Sequence, residues 1–330
     1  MKKALITGIT GQDGAYLAQL LLSKGYNVIG VTRQTDSFAF HRLAYLGIDK
    51  KIEIAYFDLT DPKAVLACLE QYHPDEIYNL AAQSSVGQSF HIPQETFSFN
   101  TMSVMNLLDG VRQFDRKIRF YQASSSEMFG NVSFQNLPIR ESLLFHPVSP
   151  YGISKASAHW LTVNYREAYG IFTTCGILFN HESALRGENF VIKKLINTAL
   201  KIQAGKAETL TLGNLAVSRD WGYAPKYVEA MWKMLQQERP GDYIICSGNL
   251  STLQELLLKV FDQLGLDMGK HLRLDQAFMR SLDLGVIYGD NTKAKAELEW
   301  EYNLSTDDLI AQLIADEREW MAWGDKNKEV

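Results

Sequence analysis

Apolar residues in the first half of the chain alternate between short runs of strand length and longer stretches in which they recur every three or four residues. Ala4 to Thr7 is such a run; it passes through TGITGQDG into AYLAQLLLSKG, so the pattern predicts strand, glycine turn and helix. Gly25 closes that helix, and YNVIGVTR follows as a second strand, completing a βαβ unit by about Arg33. IEIAYFDLTD reads as a third strand, after which Thr60 or Asp61 caps a helix that has Pro62 in its first turn and ends before His73-Pro74. EIYNLAAQ is a fourth strand, the segment from Gln94 to Phe114 a long helix, and RFYQASS a fifth strand. Strands and helices alternating at this spacing specify an α/β fold, a doubly wound parallel sheet covered on both faces.

The pattern changes after about residue 180. ETLTLG and DYIICSG read as further strands, but longer amphipathic helices now dominate: VEAMWKMLQQ, LQELLLKVFDQL, TKAKAELEW and STDDLIAQLIADEREWMAW. Thr252 and Glu255 stand in capping-box spacing at the start of the second of these. At ~150 residues per domain, the 330 residues divide into a Rossmann-like unit over 1–180 and a smaller α/β unit over 181–330, with the chain crossing between the two.

Composition narrows the function classes. Hydrophobic residues at 46% and charged residues at 22% exclude a disordered or coiled-coil chain. No apolar run approaches the ~20 residues of a membrane span. The net charge of −5 is spread without a basic stripe, so a nucleic-acid partner is not expected. Cys68, Cys175 and Cys246 stand far apart in apolar stretches, as core thiols of a reducing compartment do. The short apolar start is interrupted at Gly8, which leaves no secretory signal and makes the cytoplasm the expected location. The seven histidines show no HExxH or paired-ligand spacing, so no metal site is expected.

The chemistry begins in the first turn. Gly8, Gly11 and Gly14 lie between a buried strand and the helix it feeds, where missing side chains let backbone N–H groups approach a pyrophosphate at a helix N-terminus. An acidic residue closing the second strand would bind the ribose 2′-hydroxyl of NAD; this strand ends at Thr32-Arg33-Gln34 instead, and Arg33 suits the 2′-phosphate of NADP. Asp36 stands close enough to keep NAD as the alternative. Further on, Tyr151 and Lys155 are four residues apart in a helical stretch after Pro150, hence on one face. An ammonium beside a phenol favours the phenolate and makes the tyrosine a general base for a substrate hydroxyl. The fifth strand runs out into ASSSEMFG at the carboxyl edge of the sheet, and if the chain stays extended there, Ser125 and Glu127 project to one side.

These residues resemble the extended short-chain dehydrogenase/reductase family and, more narrowly, its GDP-mannose 4,6-dehydratase branch. The resemblance runs almost to the C-terminus, most specifically through TGITGQDGAYLA, EIYNLAAQSSV, FYQASSSEMFG, SPYGISK, NYREAYG, GILFNHES, LGNL followed by RDWG, and YVEAMW. It implies an active site of Ser125, Glu127, Tyr151 and Lys155. It implies NADP along Gly8, Ile9, Thr10, Gly11, Gln12, Asp13 and Gly14, by Arg33, Asp58, Leu59, Leu80, Ala81, Ala82, Gln83 and Ser84, against Tyr151 and Lys155, and near His181 and Arg186. A GDP-sugar would be held by Ser84, Asn180, Val191, Lys194, Arg219, Arg280 and Asp283. The implied reaction is an internally redox-neutral dehydration to a 4-keto-6-deoxy sugar, carried out by a homodimer or homotetramer.

The chain departs from the family pattern at Ser125 for threonine, Gln34 and Val148 for arginine, Ala184 and Ser281 for proline, and Asp283 for glutamate. Three other readings remain beside it: a dehydratase of GDP-N-acetylglucosamine or a CDP-sugar, a GDP-4-keto-6-deoxymannose reductase, and a catalytically silent NADP-binding sensor. A reductase has no use for Glu127, because its reaction removes no carbon-bound proton.

Overall fold

The computed structural model describes residues 1–275 and 284–327. Its strands are β1 (Lys3–Thr7), β2 (Asn27–Thr32), β3 (Glu53–Tyr56), β4 (Glu76–Asn79), β5 (Arg119–Ser125), β6 (Thr173–Leu178), β7 (Asn180–Glu182), β8 (Leu210–Leu212), β9 (Ser218–Tyr223), β10 (Asp242–Ile245), β11 (Leu250–Thr252), β12 (Leu272–Leu274) and β13 (Val286–Ile287). The helices are α1 (Gln12–Ser23), α2 (His41–Tyr45), α3 (Pro62–Tyr72), α4 (Val86–His91), α5 (Pro93–Phe114), α6 (Pro150–Tyr169), α7 (Val191–Gln203), α8 (Ala224–Met234), α9 (Leu253–Leu264), α10 (Met268–His271), α11 (Thr292–Leu298) and α12 (Thr306–Lys326).

Seven strands form one parallel sheet in the order β10-β6-β5-β4-β1-β2-β3. Successive strand residues point to opposite faces, and both faces are covered, which is why these strands read as unbroken apolar runs. Leu5, Ile77 and Phe120 pack with Val65 and Leu69 of α3 and Val104, Leu107 and Leu108 of α5 on one side. Ala4, Ile6, Tyr78 and Tyr121 pack with Leu17 and Leu21 of α1 and Tyr227 and Met231 of α8 on the other. The chain winds outward from β1 to β3 and then returns to β4, and the reversal opens a crevice above the carboxyl ends of β1 and β4.

Local chemistry sets the ends of these elements. Asp61, not Thr60, caps α3, its carboxylate accepting from the Lys63 amide at 2.9 Å. Thr252 and Glu255 form the full capping box of α9. Ser149 caps α6 by accepting from the Gly152 amide at 3.0 Å, and Gly170 ends that helix in the left-handed region at φ 68°.

One element lies elsewhere than its place in the sequence suggests. DYIICSG reads as part of the second unit, yet β10 joins the main sheet beside β6, pairing Asp242 with Cys175 through Ile245 with Leu178. A bidentate ion pair from Arg166 of α6 to Asp242, at 2.6 and 2.9 Å, fastens it there. The remaining strands form a four-stranded sheet around β9, which pairs β7 and β13 in parallel and β11 antiparallel, and the pair β8-β12. The core of this second body comes from Leu195 and Ile196 of α7, Leu256, Leu257 and Phe261 of α9, and Leu309 and Leu313 of α12. The three cysteines are buried free thiols. Among the described residues no helix is long and apolar enough to cross a membrane.

Candidate active site

The glycine turn is held open by its lack of side chains. Gly8 has φ 69°, and a Cβ there would stand 2.9 Å from the Ala81 nitrogen; at Gly14 a Cβ would stand 2.3 Å from the Gly8 carbonyl oxygen. The turn therefore packs backbone against backbone while α1 begins at Gln12 with its free N–H groups aimed into the crevice. A cavity of about 350 Å³ follows, lined by Gly8, Thr10, Gly11, Gln12, Asp13, Gly14, Arg33, Leu59, Leu80, Ala81, Ala82, Ser84 and Arg186. That donor set suits a dinucleotide whose pyrophosphate lies at the helix N-terminus. Ile9 is fully buried in the sheet core, so only its backbone faces the turn. Asp58 and Gln83 are occupied locally: Asp58 accepts from the Thr60 amide and hydroxyl, and Gln83 bridges Ser85 and Thr96. Arg33 lies 3.4 Å from Asp58 and stacks over Phe99 at 4.8 Å.

A second cleft of about 560 Å³ adjoins the first, sharing Asp13, Leu80, Ala82, Ser84 and Arg186 with it. Ser125, Glu127, Tyr151 and Lys155 all line it, as do Asn180, His181, Val191, Lys194 and Arg219. Lys155 lies one turn after Tyr151 on α6, and its ammonium donates to the Ala123 carbonyl of β5 at 2.8 Å. A run of buried polar side chains fixes that strand end. Thr7 donates to Asn79 at 2.6 Å, Asn79 to Gln122 at 2.8 Å, and Gln122 to the same Ala123 carbonyl at 3.0 Å. Ser125 and Glu127 reach the cleft by a different route from an extended strand. β5 stops at Ser125, whose hydroxyl accepts from the Glu127 amide at 3.3 Å, and a 3₁₀ turn over Ser126–Phe129 carries Glu127 round to the same opening.

Burial dominates the charges here. It pushes the Tyr151 phenol up to about 12, with the Glu127 carboxylate adding to the shift and the Ser125 hydroxyl opposing it. It also brings the Lys155 ammonium down to about 8. The ammonium lies 5.9 Å from the centre of the Tyr151 ring, and the depressed phenol expected from their spacing is not what the chain alone produces. Burial also raises Asp13, but its contacts with His181 and the Gln12 amide outweigh that and hold the carboxyl at about 2. His181 Nε2 lies 2.9 Å from the Asp13 carboxylate and Nδ1 lies 2.7 Å from the Phe179 carbonyl. The ring stacks on Tyr227, centroids 4.6 Å apart.

Arg186 stands at the junction of the two cavities, its guanidinium over the Phe190 ring at 3.7 Å and its Nε 3.6 Å from the buried Glu182. Lys194 donates to the Thr211 carbonyl, and Arg219 to those of Ser218 and Gly285. Arg280 and Asp283 lie outside the described residues. Elsewhere, His159, Cys175 and Asp242 converge, with the Asp242 carboxylate held by Arg166. Residues that local pattern did not reveal include Asn189, Phe190 and Asn214 in the larger cleft, Phe99 in the smaller one, and Arg42 behind the glycine turn.

Residues 5–313 match the family model described as GDP-mannose 4,6 dehydratase. The chain belongs to that family. GDP-mannose 4,6 dehydratase 2 of Arabidopsis thaliana is 44% identical over 328 residues, covering 96% of this chain and 87% of that protein. The Homo sapiens GDP-mannose 4,6 dehydratase is 40% identical, covering 94% and 90%. Solved structures share the fold at lower identity. The UDP-glucose 4-epimerase of Thermotoga maritima aligns with TM-score 0.84 at 22% identity, covering 97% of this chain and 99% of that one. The dTDP-glucose 4,6-dehydratase DesIV of Streptomyces venezuelae, whose structure holds NAD, aligns with TM-score 0.83 at 23% identity, covering 97% and 98%. RMD of Pseudomonas aeruginosa, complexed with NADPH, aligns with TM-score 0.80 at 23% identity, covering 98% of each chain.

Proposed function

We propose that this chain is a GDP-mannose 4,6-dehydratase, a hydro-lyase that converts GDP-D-mannose to GDP-4-dehydro-6-deoxy-D-mannose and water. The observation that carries the reading is Glu127, a carboxylate placed in one cleft with Ser125, Tyr151 and Lys155 in a chain of this family. Tyr151 takes the proton of the hydroxyl on sugar carbon 4, and Ser125 hydrogen-bonds the same oxygen. When bound, the nicotinamide dinucleotide supplies a store for the hydride that leaves carbon 4 and returns to carbon 6, and its oxidised ring adds a positive charge that favours the Tyr151 phenolate. Lys155 contributes its own charge to that phenolate as long as it stays protonated. The ketone at carbon 4 acidifies the proton on carbon 5; Glu127 removes it and passes it to the hydroxyl leaving carbon 6, which departs as water. As hydride reaches carbon 6, carbon 5 takes up one proton from solvent and Tyr151 releases the one it took from the carbon 4 hydroxyl, so the sugar loses one water and nothing else.

NADP is the preferred cofactor because a cation, Arg33, closes β2 at the rim of the smaller cavity where NAD would call for a carboxylate. Lys194, Arg186 and Arg219 supply positive charge to the sugar nucleotide's diphosphate. Phe97 and Met102 on α5 and Ile153 and Trp160 on α6 are exposed apolar side chains, which supports a homodimer or homotetramer built on these helices. The three separate buried thiols support a reducing compartment, the cytoplasm.

The test is incubation of the purified protein with a panel of GDP- and CDP-sugars, product being read by mass as the loss of one water with no net consumption of added cofactor. GDP-mannose should lose water, and Glu127→Gln should keep GDP-mannose binding while turnover falls roughly 100- to 10,000-fold. Unimpaired product formation by that variant removes Glu127 from the mechanism, and no water loss from any GDP-sugar overturns the assignment.

A further inference from the structure

The glycine turn and the segment that carries Asn180, His181 and Arg186 are separated by about half the chain, yet a row of hydrogen bonds joins them. The Gln12 amide donates to the His181 carbonyl at 3.2 Å, and the Ser183 hydroxyl donates to the Gln12 amide oxygen at 2.7 Å. Asp13 meets His181 at 2.9 Å, and the Leu185 amide returns to the Ser183 hydroxyl at 3.1 Å. Arg42, from α2, completes the row. Its Nε donates to the Leu185 carbonyl at 2.7 Å and its Nη1 to the Thr10 carbonyl at 3.0 Å, so one planar guanidinium spans both segments. Neither carbonyl belongs to a regular strand or helix, so in each segment this donor takes the place that a ladder partner would fill.

We infer that Arg42 is a positioning residue that couples the two cavities, so that a dinucleotide on the glycine turn and a sugar nucleotide in the larger cleft strengthen each other's binding. Phosphates seated on Thr10 to Asp13 restrain that backbone; through Arg42, Gln12 and Ser183 the restraint reaches residues 181–185. Arg186, which lines both cavities, follows directly after. The second ligand then meets a segment already ordered by the first and spends less of its interaction energy on ordering it. Linkage makes the effect equal in both directions, with a size of roughly 5- to 150-fold in dissociation constant. Lysine is a poor substitute, because its donors all lie on one nitrogen, whereas Arg42 reaches the two carbonyls from two separate nitrogens of a rigid plane.

The inference rests on the dehydratase reading for the identity of the ligands, and calorimetry with NADPH and GDP, a pair that undergoes no turnover, separates the two. In the wild-type protein NADPH should tighten GDP binding at least fivefold. Arg42→Met should reduce that factor to below about twofold, with Arg42→Lys close to it, and thermal unfolding shows whether each variant is folded. Ser183→Ala removes a smaller link in the same row and should lower the factor partway, which keeps the test alive if Arg42 variants fail to fold. Wild-type binding of both ligands without mutual tightening, or a factor unchanged in the folded variants, overturns the coupling. Failure of the wild-type protein to bind either probe removes the functional reading itself, and the coupling with it.

Discussion

Replacing Lys155 by methionine should stabilise the chain at neutral pH while ending its chemistry. The folded protein releases the Lys155 proton at about 8, against an ordinary 10.5. Between those values the unfolded chain binds more protons than the folded one, so the free energy of unfolding rises with pH across that window. Below it the full penalty of holding a buried charge is present. At roughly 1.4 kcal/mol per decade, the gap between 10.5 and about 8 corresponds to about 3 kcal/mol. Methionine carries no charge, is close in volume, and adapts to the space a lysine stem occupies. The Ala123 carbonyl is not orphaned by the change, because Gln122 also donates to it at 3.0 Å. Allowing for the loss of one charge-assisted bond, the variant should be more stable by about 1 to 3 kcal/mol at pH 7 in urea denaturation. The difference should shrink above pH 8, be nearly gone by about 10.5, and be accompanied by loss of dehydratase turnover. A less stable variant at pH 7, or a gap that does not change with pH, refutes the view that burial of a charged lysine is the dominant effect at this position.

Other positions give independent checks. Gly14→Ala places a Cβ 2.3 Å from the Gly8 carbonyl oxygen and should cost about 1 to 3 kcal/mol of stability as well as most NADPH affinity; an alanine variant with unchanged fluorescence titration by NADPH contradicts the close-packed turn. Arg33→Ser should weaken NADPH by about 10- to 150-fold, the loss of one or two bonds to a charged group, while leaving NADH almost unaffected. Equal losses for the two cofactors would remove Arg33 from 2′-phosphate recognition. Asp13 is held at about 2 against an ordinary 3.8, so it adds about 2 kcal/mol of stability above pH 4, lost as pH falls through 2. Asp13→Asn should be less stable by that amount at pH 7 in denaturant titration, the gap closing as acid is added, and an equally stable variant would show that the His181 pair adds nothing.

Features that depend on neighbours in sequence were legible in the chain, and those that depend on distant partners were not. The turn at Gly8, Gly11 and Gly14 announces itself because strand, turn and helix follow one another directly, and Tyr151 and Lys155 because one helical turn separates them. Ser125 and Glu127 could be picked out by type and place, but not their route into the cleft, since the Ser125 hydroxyl takes the Glu127 amide and tightens the chain into a 3₁₀ turn. The setting of Tyr151 was legible only in part, for a related reason: spacing shows the ammonium beside the phenol but not the burial that, in the chain alone, raises the phenol. Arg42 has no local signature at all. Its two partners, Thr10 and Leu185, lie 32 and 143 residues away.

The placement of β10 at the edge of the main sheet also governs how the chain can be made and cut. The sheet that carries the glycine turn is complete only once Ile245 is in place, so during synthesis β6 waits with one side unpaired while the intervening residues emerge. A fragment ending near residue 180 would leave that edge open for good, a row of backbone donors and acceptors on a buried strand that offers other chains a template for aggregation. The natural seam between cofactor and substrate chemistry is therefore not a place to divide the polypeptide: an isolated cofactor-binding fragment that stays monomeric must extend at least through Ile245.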